Sequence, residues 1–132
     1  IFTNATKYFE SLHQLILKPK NSILVSIDSG TKETYKSIKG ADLFEAVCNN
    51  LCRYARNNGN VILKYILTDG NTDIDDLNGF IDFCVKANIH NIRIVYDWNV
   101  KKVNSQMQNA AIVLLHKAKK KNLNCYIDES FI

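Results

Sequence analysis

Two hydrophobic periods alternate along this chain. Ile23-Leu24-Val25-Ser26-Ile27-Asp28, Val61-Ile62-Leu63-Lys64-Tyr65-Ile66-Leu67, Ile92-Arg93-Ile94-Val95-Tyr96-Asp97 and Cys125-Tyr126-Ile127-Asp128 are short runs rich in β-branched and aromatic residues. Each has the length and make-up of a buried strand. Between them, apolar residues recur three and four positions apart: Tyr8, Leu12, Leu15 and Ile16; Phe44, Val47, Cys48, Leu51 and Ala55; Leu77, Phe80, Ile81, Cys84 and Val85; Met107, Ala110, Ala111, Leu114 and Leu115. That spacing predicts amphipathic helices. With Ile1-Phe2-Thr3 as the tail of a first strand, the order reads β-α-β-α-β-α-β-α-β. The intervening helices are long enough for right-handed crossovers, so the pattern predicts an α/β fold of repeated βα units with a mostly parallel sheet of about five strands.

The punctuation between these segments agrees. Thr31, Asp42 and Asp73 occupy helix N-cap positions, and Glu33, Asp75 and Asp76 put negative charge in the first turns. Gly40 and Asn58-Gly59 fall where helices should stop, and Ser29-Gly30 and Asp69-Gly70-Asn71 supply turns just after strands. No Ser-, Gly- or Pro-rich linker divides the chain, so residues 1–132 read as one domain.

Composition narrows the class. At 132 residues, 46% apolar and 23% charged, the chain can bury a core, and no apolar run approaches a membrane span. The net charge of +4 is concentrated in His116-Lys117-Ala118-Lys119-Lys120-Lys121. Lysines there complement the end of a helix, and with no interleaved aromatic residues a nucleic-acid role is not indicated. The cysteines, Cys48, Cys52, Cys84 and Cys125, lie within predicted helices and strands rather than a loop-rich framework, which points to reduced thiols in the cytoplasm. The opening Ile1-Phe2-Thr3 carries neither an initiator Met nor a signal segment, and reads as the middle of a longer protein.

In parallel α/β folds, ligands sit at the carboxyl ends of strands, which directs attention to the polar residues there. Period-two alternation puts Ile23, Val25 and Ile27 on one face, and Leu24, Ser26 and Asp28 on the other. The β-branched set suits a helix-covered face, so Ser26 and Asp28 are expected to point to the opposite, interior side. Lys64 alternates with Ile62 and Ile66, and Asp97 shares a face with Arg93 and Val95. Thr3-Asn4, Ser26-Asp28, Lys64, Asp97 and Asp128 are therefore candidates to line one rim; the competing reading makes them strand-end caps or ion pairs. His13, His90 and His116 form no hydrolase triad or zinc motif, Asp73-Ile74-Asp75-Asp76 lacks EF-hand spacing, and no phosphate-binding glycine motif occurs.

The ordered segments Thr3-Asn4-Ala5, Val25-Ser26-Ile27-Asp28-Ser29-Gly30 and Thr34-Tyr35-Lys36-Ser37-Ile38-Lys39-Gly40, followed by an amphipathic helix, resemble the middle of a radical S-adenosylmethionine enzyme. Several subfamilies carry a "TNG" turn, a "vSiDg" strand and "TYekirG" in that order. Val61 to Asn71 is similar to the next strand and turn, so the resemblance covers about residues 1 to 98. It implies a partial TIM-type barrel, with S-adenosylmethionine and a [4Fe-4S] cluster as cofactors of the longer protein. It also implies cofactor-binding roles for Thr3 and Asn4, near the methionine, and for Ser26 and Asp28, near the ribose or carboxylate. Lys64 and Asp97 become substrate-side candidates.

The resemblance has one large gap. The family holds its cluster on a CxxxCxxC loop, where three thiolates leave one iron open. Here Cys48-Asn49-Asn50-Leu51-Cys52-Arg53-Tyr54-Ala55 begins that pattern but has Ala55 in the third cysteine position, inside a predicted helix. Its thiols read as structural, and no metal ligands are assigned. The expectation is a cluster-free, carboxyl-side barrel fragment, inactive alone, whose partners are the missing upstream barrel segment and an unidentified substrate. A sheet edge at Ile1-Phe2-Thr3 is also open to pairing with a second copy. The alternative is a non-catalytic, flavodoxin-like α/β binding module.

Overall fold

The structure, a computed structural model, describes residues 1–128. Its elements are α1 (Glu10–Ile16), β1 (Ile23–Ser26), α2 (Lys32–Lys39), α3 (Phe44–Ala55), a 3-10 turn (Arg56–Asn58), β2 (Val61–Leu67), α4 (Ile74–Lys86), β3 (Asn91–Tyr96), α5 (Ser105–Lys120) and β4 (Asn124–Ile127). The four strands form one parallel sheet in chain order, β1-β2-β3-β4. The expected first strand is present only as a bridge. Phe2 pairs in parallel with Leu24, and the Leu24 N–H donates to the Ile1 carbonyl at 2.8 Å.

This order decides between the two architectures left open by the sequence. A flavodoxin-like sheet reverses its strand order at a switch point and carries helices on both faces. From the Phe2 bridge through β4 the order never reverses, so right-handed crossovers put every helix on the same face. Burial follows suit. Ile23, Val25, Val61, Leu63, Tyr65, Leu67, Ile92, Ile94 and Tyr96 are buried under the helices, whereas Leu24, Ser26, Ile62, Lys64, Ile66, Arg93 and Val95 on the alternate face keep solvent exposure. The structure is a partial barrel wall with one covered and one open face.

Local chemistry explains most boundaries. The Thr31 hydroxyl accepts from the Thr34 N–H to start α2, and Gly40, at φ 73°, ends it in the left-handed conformation. Asp73 caps α4 through the Asp75 N–H, and Asn104 caps α5 through the Met107 N–H. Asp42 does not cap α3. Leu43 takes the N-cap position without a side-chain bond, and the Asp42 carboxylate lies 3.8 Å from Lys32 Nζ instead. After α3, Asn57 and Asn58 supply the left-handed residues, at φ 56° and 61°. Gly59 supplies space there: a Cβ on it would come within 1.8 Å of the Tyr54 carbonyl.

Candidate functional site

The open face presents its side chains in rows, because the parallel register is unbroken across the sheet. Leu24, Ile62, Asn91 and Asn124 are neighbours in one row, and Ser26, Lys64, Arg93 and Tyr126 in the next. Ile66 and Val95 continue toward the strand ends. The central row thus brings two hydroxyls and two cations side by side on four strands. A concavity of about 550 Å³ lies over it, with Phe2, Leu24, Lys64, Arg93, Tyr126 and Asp128 among its lining. Phe2 and Tyr126 flank it as exposed rings, 82% and 66% accessible. A larger hollow of about 850 Å³ lies elsewhere, between α5 and β4, away from the strand ends where parallel folds bind ligands.

The rim residues expected from the sequence have separate fates. Lys64 and Asp128 line the concavity, and Ser26 lies in register beside Lys64. Thr3 and Asn4 build the first turn. The Thr3 hydroxyl accepts from the Ala5 N–H at 3.2 Å, and Asn4 Oδ1 accepts from the Thr6 N–H and hydroxyl at 3.1 and 2.9 Å. Asp97 closes a similar turn by accepting from the Asn99 N–H at 2.9 Å and from Asn99 Nδ2 at 3.1 Å.

Asp28 departs from the expected inward orientation. β1 ends at Ser26, and Asp28 itself adopts φ 56°, which interrupts the strand alternation. One carboxylate oxygen accepts from the Ile66 N–H at 2.7 Å, so the side chain prolongs the β1–β2 ladder where the backbone has turned away. Its other oxygen takes Lys39 Nζ at 2.7 Å. The ion pair considered for Lys64 is therefore made by Lys39, from the following helix.

Two buried residues that strand-end reasoning passed over hold this region together. Asn71 Nδ2 donates to the Asp28 and Ile66 carbonyls, at 2.9 and 2.7 Å, while Oδ1 accepts from the Thr68 N–H at 2.8 Å. Asp76 accepts from the Gly30 and Thr31 N–H groups at 2.9 and 3.0 Å, from the Thr31 hydroxyl, and from the Tyr65 hydroxyl. Burial, reinforced by Asp76, pushes the Tyr65 phenol well above its ordinary range. The only sequence signals were a turn asparagine and an acidic helix start, which far more often mean exposed residues.

The loop between β1 and α2 also touches the α4 backbone. A Cβ on Gly30 would lie 1.9 Å from the Asp76 carbonyl, and one on Gly79 would lie 2.2 Å from the Gly30 carbonyl. Both glycines are required for that close approach.

The cysteines do not fit an iron-sulfur cluster. Cys48 and Cys52 lie half-buried on α3, Cys84 is buried in α4 and Cys125 is in β4. Among the described residues, no three Cys, His, Asp or Glu side chains converge as a metal site. Burial pushes the Cys48 thiol up to about 12 and the Cys125 thiol up to about 11, as expected of unreactive packed thiols.

The fold itself has solved counterparts. A domain of pyruvate-formate lyase-activating enzyme from Bacteroides vulgatus ATCC 8482 superposes with TM-score 0.75 at 14% identity, over 96% of this chain and 78% of that one. SuiB from Streptococcus suis bound to S-adenosylmethionine gives TM-score 0.73 at 14% identity, over 97% of this chain and 30% of that one. SuiB bound to its precursor peptide SuiA gives 0.73 at 13%, over 97% and 31%. This chain has the fold of a partial radical S-adenosylmethionine barrel. It spans about 30% of SuiB. No protein-family model matches the sequence. No curated protein matches it either. No helix among the described residues is long and apolar enough to cross a membrane.

Proposed function

We propose that this chain is the carboxyl-side part of a radical S-adenosylmethionine enzyme, contributing a barrel wall and substrate-facing side chains to a longer cytoplasmic protein. The observation that carries this reading is the non-reversing parallel order with one open, polar-lined face. An unreversed wall of this kind is suited to close with further βα units around a central ligand. The likeness to SuiB bound to S-adenosylmethionine supports the same choice.

In this reading the [4Fe-4S] cluster would be held by another segment and would supply the reducing electron for cleavage of S-adenosylmethionine. The residues of this chain bind and position. Ser26 offers its hydroxyl to the cofactor from the open face. Asp28 holds the end of β1 against β2 through the Ile66 N–H, so that its role is to position Ser26. Thr3 and Asn4 shape the turn on the cofactor side, and their backbone groups rather than their engaged side chains make the contact. Lys64 faces the substrate, while Asp97 shapes the loop after β3. The remaining barrel segment is the natural partner for the edge at Ile1-Phe2-Thr3, in preference to a second copy.

Anaerobic reconstitution with iron and sulfide tests the reading. The longer protein is expected to gain cluster absorbance and to release 5'-deoxyadenosine from S-adenosylmethionine, and this chain alone to gain none. A longer protein that cleaves no S-adenosylmethionine would sink it.

A further inference from the structure

Lys64 and Arg93 are direct neighbours across β2 and β3, on the same open face. Neighbouring strands are about 4.8 Å apart, so the two cationic stems leave the sheet side by side. Like charges placed directly opposite one another destabilise a sheet. The usual remedy is an interleaved carboxylate, and this protein uses it elsewhere, pairing Lys39 with Asp28 and Lys32 with Asp42 and Glu45. No ion pair among the described residues involves Lys64 or Arg93. Tyr126 extends the same row with a hydroxyl beside Arg93, and Lys64, Arg93 and Tyr126 line the concavity of about 550 Å³.

We infer that this row is an oxoanion site, and that the group it holds is the phosphoryl group of a small-molecule phosphate monoester. Charge and oxygen count favour phosphoryl over carboxylate. A phosphate monoester brings close to two negative charges and three acceptor oxygens. Lys64 and Arg93 offer two positive charges with the Tyr126 hydroxyl beside them, which matches the charge and third oxygen of a phosphoryl group better than a carboxylate's single charge and two oxygens. Arg93 supplies the planar fork suited to two oxygens, and Lys64 a point charge. Phe2, Leu24 and Val95 offer apolar surface to the organic part of the ligand. This deepens the proposed function by naming the substrate class of the same face, yet it rests on the Lys64–Arg93 row and not on radical chemistry.

Phenyl phosphate is the probe, added to the full 132-residue chain and followed by isothermal titration and by amide shifts in β1 to β4. Binding is expected, with the largest shifts at Lys64, Arg93 and Tyr126. The double variant Lys64→Gln/Arg93→Gln should weaken it at least tenfold, while melting no lower than the parent chain because a like-charge contact is gone. Lys119→Gln/Lys120→Gln/Lys121→Gln, which removes the α5 lysine run, should leave the affinity within twofold. Should the double variant misfold, Arg93→Gln alone, at an exposed position, is expected to weaken binding at least threefold. Unchanged affinity in the row variants, or loss in the α5 variant, overturns the site. Equal competition by free methionine overturns the phosphoryl assignment, because the row would then be reading a monocarboxylate. Phosphate binding in a protein that never cleaves S-adenosylmethionine would leave this inference intact while ending the broader reading.

Discussion

At the scale of single residues, the end of β1 depends on side chains acting as backbone. Asp28 replaces the carbonyl that the turning chain withholds from the Ile66 N–H, and Asn71 bonds the carbonyls of Asp28 and Ile66. Asn71 is fully buried, so its truncation leaves two carbonyls and the Thr68 N–H without their partner. Asn71→Ala is expected to cost about 3 kcal/mol by urea denaturation, since each buried unsatisfied group costs roughly 1–3 kcal/mol. Asp28→Ala, by contrast, also strands Lys39, but that ammonium is partly exposed and can be hydrated. The expected loss is about 2 kcal/mol, chiefly from the unpaired Ile66 N–H. An unchanged urea midpoint for either variant would contradict the roles given to these side chains.

The candidate site shows how far residue-level reading extends. Strand alternation placed Lys64 on the open face and in the concavity. It also put Arg93 on the face of Asp97 and Val95 without singling it out, because the cross-strand register that sets Arg93 beside Lys64 is not a local property. Alternation failed for Asp28 because period two holds only while the backbone stays extended, and Asp28 leaves it at φ 56°.

At the scale of elements, the β1–α2 loop and α4 meet backbone to backbone. A methyl group on Gly30 or Gly79 would overlap backbone atoms, which cannot rotate away as a side chain can. Gly30→Ala and Gly79→Ala are each expected to destabilise by about 3 kcal/mol, at the upper end of the usual overpacking penalty. Gly40→Ala has open space around the added methyl group and pays only for left-handed backbone, about 1–2 kcal/mol. Thermal melting of the three variants checks the order: Gly40→Ala should melt highest of the three.

The helices were legible in position because each carries an apolar stripe and polar ends. Thr31, Asp73 and Gly40 do what their residue types favour at helix ends. Asp42 does not, since α3 begins one residue later and a local ion pair with Lys32 competes for its carboxylate. Nothing in the spacing of glycines distinguished Gly30 and Gly79, which matter for space, from Gly40, which matters for its dihedral angles. That difference depends on which backbone arrives from elsewhere.

At the scale of the whole molecule, the buried and half-buried thiols set a limit on stability in alkali. Cys48 is raised to about 12 and Cys125 to about 11, against an ordinary value of 9.0, and burial raises Cys84 as well. Between those values the unfolded chain has lost protons that the folded chain retains, so stability falls as pH rises. The contribution is fully present below pH 9.0, the unfolded value, and is lost as pH rises through about 11 and about 12. The urea midpoint is expected to be lower at pH 10.5 than at pH 8, and Cys48→Ser should reduce that drop. Iodoacetamide at pH 8 should label Cys84 far more slowly in the folded chain than in urea.

The sequence by itself determined the alternation of strands and helices, the buried set on β1, β2 and β3 and most helix ends, because these follow from nearest-neighbour sterics, capping and hydrophobic period; β4, expected to be buried, is half-exposed with Tyr126 open to solvent. The ordered motifs around Thr3-Asn4, Ser26-Asp28 and Thr34 to Gly40 carried the resemblance to the barrel family, and the fold agrees. Only the tertiary structure decided that the sheet is singly wound with one open face, because both architectures contain the same βα repeat and differ only in which strands pair. It also decided which polar residues meet. Asp28 is drawn to Ile66 and Lys39, Asp76 is buried beneath Gly30 and Thr31, and Lys64 is left beside Arg93. Apart from Lys39, on the helix that follows Asp28, those partners are dozens of residues apart, and the pairing of strands across the whole sheet brings them together.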